Sequence, residues 1–174
     1  MRNKRITPQL LRAAVFGAND GVVTTFAVVA GVAGADLSAR VVLIMGVANL
    51  IADGIAMGLG DYLGEKSELD MERGSKKPPS RRGVWHTGLM TFIAFVIAGS
   101  APLLPYLLEF SDVKQIDLFA GSILCTAIAL FLVGSLRSFF TRRSWWRSGL
   151  EMLFVGALAA GAAYILGALI KTQV

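Results

Sequence analysis

Charge is scarce in this chain. Only 17% of its 174 residues are Asp, Glu, Lys or Arg, against about 25% in an ordinary soluble domain. A cytosolic globular enzyme is excluded on that ground, and disorder is excluded by the 55% hydrophobic content. The single cysteine, Cys125, rules out an internal disulfide and a thiolate metal cage within one chain. The single histidine, His86, rules out a His-rich zinc site built by one subunit. No nucleophile–base pair and no His-containing metal motif is present, so the sequence does not read as an enzyme with a resident cofactor. What chemistry remains must use carboxylates, amides, thioethers and backbone.

The apolar residues are gathered into five blocks, roughly 13–34, 41–63, 85–108, 116–136 and 149–170. Each is about 20 residues or a little more, enough to cross the hydrocarbon as a helix at about 1.5 Å per residue. They are too long and unbroken for barrel strands, so the expected fold is an all-α integral membrane protein of one five-helix domain, 1–174. Pro102 and Pro105 fall near the end of the third block, where a kink or early exit costs least. Asn19 and Asp20 interrupt the first block where a cleaved leader would need its apolar stretch, so that block reads as a membrane helix.

The formal charge is +5, but the basic residues stand between the blocks rather than in a patch. They record orientation, and no nucleic-acid partner is expected. Arg2, Lys4, Arg5 and Arg12 precede span one; Lys66, Arg73, Lys76, Lys77, Arg81 and Arg82 follow span two; Arg137, Arg142, Arg143 and Arg147 follow span four. The other connections hold Arg40, Lys114 and Lys171 alone. The positive-inside rule therefore places the N-terminus in the cytoplasm and the C-terminus outside. The polar stretch 65–84 is expected to continue the second helix to about Gly74, with Pro78 and Pro79 as its stop. Trp85, Trp145 and Trp146 fall at the cytoplasmic boundaries, as interfacial aromatics do.

Spans one and two alone carry polar groups where lipid should be. Span one holds Asn19 and Asp20, followed by Thr24 and Thr25; span two holds Asn49, Asp53, Met57 and Asp61 in steps of four. Such steps advance about 40° beyond a full turn, so the four form one slowly winding stripe. A mid-bilayer carboxylate costs at least about 2.5 kcal/mol, a cost that points to use. The plainer reading of the amides and threonines is hydrogen-bonded glue between helices, and of Met57 core filling. Gly17–Gly21, Gly54–Gly58 and Gly60–Gly64 repeat GxxxG spacing, from which close packing of spans one and two around a polar path is expected. Carboxylate and amide oxygens favour a cation, and a thioether beside them favours softer first-row transition ions over magnesium or calcium. A proton-coupled divalent-metal transporter is one reading. A membrane scaffold or assembly protein, whose polar residues only hold helices together, is the other.

The stretches FGANDGVVTTFAVVAGVAGA and ANLIADGIAMGLGDYLGEKSE resemble the vacuolar iron transporter family. The resemblance implies a homodimer that moves ferrous iron or manganese out of the cytoplasm in exchange for protons, its first two helices lining the path. It implies metal-contacting roles for Asp20, Met57 and Asp61. It also implies the cytoplasmic membrane of a prokaryote, or a vacuolar or other endomembrane of a eukaryote. Two departures from the family pattern stand out. Asn49 occupies the place of a frequent glutamate, with Asp53 one turn on, about 6 Å along the axis, as its expected substitute. And where some members insert a metal-binding helical domain between spans two and three, only 65–84 stands here. Glu65, Glu68 and Glu72 offer that segment a weak acidic face, whose plainer reading is a solvated helix surface.

Overall fold

A computed structural model describes residues 8–72, 84–107, 117–141 and 144–173. The elements in chain order are α1 (Pro8–Gly34), α2 (Ala39–Glu72), α3 (Val84–Gly99), a 3-10 turn (Ala101–Leu103), α4 (Leu104–Leu107), α5 (Leu118–Thr141) and α6 (Trp145–Lys171). There is no strand among the described residues. Five spans are long and apolar enough to cross a membrane, α3 and α4 counting together as Val84–Leu107. The all-α membrane architecture expected from hydropathy is therefore the one observed. Several helices overrun the apolar blocks; α2 runs to Glu72, well past the expected membrane limit. The expected stop at Pro78–Pro79 and most of the basic residues used for orientation lie outside the described residues.

α1 is the axis of the bundle and touches all four other long helices, α3 and α6 most extensively. Glycine permits this closeness. A Cβ on Gly17 would collide with the Thr91 carbonyl oxygen, and one on Gly21 with that of Phe95. The expectation that these glycines bring α1 against α2 is thus corrected: they bring it against α3. Gly54 and Gly58 of α2 also face α3, at Phe92 and Gly88. Gly60 and Gly64 face open space, with nothing within 4 Å of a built Cβ. The reason is angular, since three GxxxG pairs on two helices need not share one face.

The core follows α1. Phe26, Val29, Val42, Phe95, Leu103 and Tyr106 pack together, and Val22 meets Leu130 and Met152 on the α5–α6 side. Phe119 stacks between Phe26 (6.5 Å) and Tyr164 (6.0 Å), tying α1, α5 and α6 through ring faces. α1 ends in a Schellman turn: the Leu37 amide reaches the Val32 carbonyl (3.1 Å) and the Asp36 amide that of Ala33 (3.0 Å). Asp36 takes the left-handed position usually given to glycine, at φ 57°. Its carboxylate accepts from Lys171 Nζ at 2.8 Å, and this cation holds it below the usual carboxylate range. α5 starts under Asp117, whose Oδ1 caps the Phe119 (3.0 Å) and Ala120 (3.1 Å) amides.

Candidate functional site

The early part of α1 and the late part of α2 border a chamber of about 690 Å3. α1 contributes Arg12, Phe16 and Asp20; α2 contributes Met57, Asp61, Glu65 and Glu68; Thr87 enters from α3. Four carboxylates thus share one chamber with one guanidinium and one thioether. α2 achieves this by periodicity. Met57, Asp61 and Glu65 follow in steps of four, and Gly60 and Gly64 on the same wall leave the space unfilled.

Two carboxylates are held by hydroxyls of α3. Thr91 Oγ1 donates to Asp61 Oδ2 at 2.7 Å, and the Thr87 hydroxyl lies against Glu65 Oε2. Both threonines are buried. Asp20 is half-buried, and its carbonyl oxygen accepts from Thr24 Oγ1 at 2.8 Å. Met57 is also half-buried, with part of its side chain against the main core.

The remaining candidates are distributed around this chamber rather than inside it. Asp53 is half-buried outside the lining. Asn49 lies two turns further from the chamber, and its Nδ2 is buried without a hydrogen-bond partner. From Asn49 to Asp61 the stripe rotates about 120°, which is why its ends do not share one cavity. Asn19 stands about 100° around α1 from Asp20. It lines a separate cavity of about 380 Å3 with Arg12 and Arg137, where its Oδ1 is buried and unpartnered. Glu72 closes α2, and its side chain lies outside the described residues.

Among the described residues, no three His, Cys, Asp or Glu side chains come together closely enough to hold one metal ion. The chamber is acidic and roomy but not a closed cage. Two of its features escape a reading of spans one and two alone. Arg12 brings a positive charge into the acidic chamber, and α3 supplies hydroxyls. The second had a visible signal in the sequence: Thr87 and Thr91 stand four apart on a helix that is otherwise mostly apolar.

The VIT family model matches residues 11–82 and 72–168, most of the chain. The chain belongs to the VIT family. The two matched segments overlap at 72–82, between α2 and α3. "Vacuolar iron transporter 1" of Arabidopsis thaliana is 28% identical over 221 aligned residues, covering 94% of this chain and 87% of the relative. "Vacuolar iron transporter 1" of Oryza sativa subsp. japonica is 26% identical, covering 95% and 87%. "Vacuolar iron transporter" of Toxoplasma gondii reaches 49% over 67 residues, covering 38% of this chain and 22% of the relative. The Arabidopsis alignment is longer than this VIT family chain, so the relative carries residues with no counterpart here.

Proposed function

We propose that this chain transports divalent transition-metal ions, ferrous iron or manganese, out of the cytoplasm in exchange for protons. The observation that carries the reading is the chamber lined by Asp20, Asp61, Glu65 and Glu68 together with Met57. Carboxylate oxygens attract a divalent cation, and a polarisable sulfur beside them favours iron or manganese over calcium or magnesium. Relatives named vacuolar iron transporters support iron as the cargo. Proton exchange follows from the donors, because a carboxylate must be deprotonated to bind metal and is free to take a proton after release.

On this reading Asp20, Met57 and Asp61 contact the ion, and Glu65 and Glu68 collect it at the mouth. Asp53 and Asn49 receive it further along the stripe. Asn19 stays a weaker candidate. The positive-inside rule sets the N-terminus in the cytoplasm, so the mouth opens there and the C-terminus lies outside. The working unit is a homodimer, since among the described residues one chain brings no three His, Cys, Asp or Glu side chains together and a two-fold axis doubles the donors. The host membrane is the cytoplasmic membrane of a prokaryote, or a vacuolar or other endomembrane of a eukaryote.

The test is uptake into proteoliposomes offered iron, manganese, cobalt, zinc and calcium in turn, with internal pH recorded. Asp20→Asn keeps size and some hydrogen bonding but removes the charge. Transport is expected to fall to background while expression and dimerisation persist. Normal transport by Asp20→Asn would make Asp20 interhelical glue and put the path elsewhere, whereas a wild type that carries no ion would return the chain to the scaffold reading.

A further inference from the structure

α3 has its own part in the acidic chamber. It runs antiparallel to the late part of α2, and its threonines meet α2 carboxylates at matching steps of four: Thr91 with Asp61, Thr87 with Glu65. The usual partner of a threonine in a membrane helix is a carbonyl of its own helix, three or four residues back. Thr24 and Thr126 follow that habit, bonding the carbonyls of Asp20 and Ser122, and Thr87 also touches the Val84 carbonyl at 2.7 Å. Thr91 departs from it. Its hydroxyl, fully buried, has one proton to donate and lies 2.7 Å from Asp61 Oδ2 on the neighbouring helix. The backbone of the same residue is the surface on which Gly17 of α1 rests, less than one turn from Asp20. One residue of α3 therefore touches both acid-bearing helices.

A carboxylate on a free side chain turns about its last bond, and a cation that binds it must stop that rotation. A hydroxyl already fixed on one oxygen leaves the other oriented in advance. Such partners behind a metal-binding carboxylate commonly account for about 10–100-fold in affinity. We propose that Thr91 is a positioning residue for the transported cation: it fixes Asp61 from behind, with Thr87 as a second rung under Glu65. This rests on the transport reading and extends it to a helix that carries no ligand of its own.

The experiment measures equilibrium Mn2+ binding to the purified full chain by electron paramagnetic resonance, alongside iron uptake by the same preparations in proteoliposomes. Thr91→Val keeps the shape and removes the hydroxyl; Thr91→Ser keeps the hydroxyl and removes the methyl. Positioning requires Thr91→Val to raise the half-saturating Mn2+ concentration about tenfold or more, with Thr91→Ser close to wild type. Added to Asp61→Asn, Thr91→Val should then have little further effect, because both act through one contact. Should Thr91→Val fail to fold, Thr87→Val puts the same question to Glu65 and must weaken binding in the same direction. A Thr91→Ser defect larger than that of Thr91→Val means packing and overturns the proposal. So does wild-type binding in Thr91→Val, or a full Thr91→Val effect on top of Asp61→Asn. If wild type neither binds Mn2+ nor carries iron, the transport reading falls and the positioning role falls with it. If wild type does both and Thr91→Val matches it, only the positioning role falls.

Discussion

Met57 is the residue on which metal preference turns. It lines the acidic chamber and packs part of its side chain on the core, so both of its sequence readings describe some of its atoms. Met57→Leu is close to volume-conserving and should cost less than about 1.5 kcal/mol of stability. It removes the one soft donor and leaves oxygens, which separate iron or manganese poorly from calcium. Transition-metal uptake in the variant should therefore become more sensitive to added calcium. Competition curves of wild type and Met57→Leu in the same vesicles measure this, and coincident curves would reduce Met57 to packing. The carboxylates divide for a related reason. Asp20, Asp61, Glu65 and Glu68 line one chamber because the three on α2 keep within about 60° of one another over two turns, whereas Asp53, one turn from Met57, has already rotated out of the lining.

At the scale of the helix, hydropathy made all five spans legible because a 20-residue apolar run has few alternatives. The pairing of helices was not legible, because spacing within a helix does not name its neighbour. Gly17 and Gly21 illustrate the gap: their GxxxG pattern announced a close contact, but its partner was α3. The same facts separate two kinds of glycine. At Gly17 an alanine methyl meets the Thr91 backbone, which cannot swing aside, so Gly17→Ala should destabilise by about 1–3 kcal/mol. At Gly60 the space is open, and Gly60→Ala should be neutral or stabilise α2 by up to about 1 kcal/mol. Thermal melts in one detergent distinguish these directions, and equal destabilisation would contradict the packing of α1 on α3. α2's extension to Glu72 was expected in kind, but the chamber formed by its last turns was not. Seeing Glu65 and Glu68 as chamber walls requires knowing that α1 stands opposite them.

For the whole molecule, the Asp36–Lys171 pair joins the α1–α2 turn to the end of α6, 135 residues away in sequence. Its partner holds Asp36 below the usual carboxylate range, so the stability it adds is present above that range and lost as pH falls through the lowered value. Asp36→Asn tolerates the left-handed backbone and removes only the charge. Wild type should melt slightly above this variant at neutral pH, with the gap closing on acidification; a gap that widened would reverse the sign of the coupling. Assembly is the larger question, and α2 bears on it again. Beside the polar stripe, Ala48, Ala52, Ala56, Gly60 and Gly64 follow in steps of four, every one exposed in the single chain. A smooth strip of small residues lets helix backbones meet closely, and lipid has no comparable need of it. If a second copy covers this strip, Ala52→Leu should leave the fold intact and push the halves apart. Ala157→Leu, also at an exposed position but on α6, should do nothing. Single-molecule photobleaching in bilayers counts the copies directly. One-step bleaching in Ala52→Leu, with two-step bleaching in wild type and Ala157→Leu, is the expected result. Unchanged pairing in Ala52→Leu would move the dimer contact away from α2, and the acidic chamber would have to be completed by donors of its own chain.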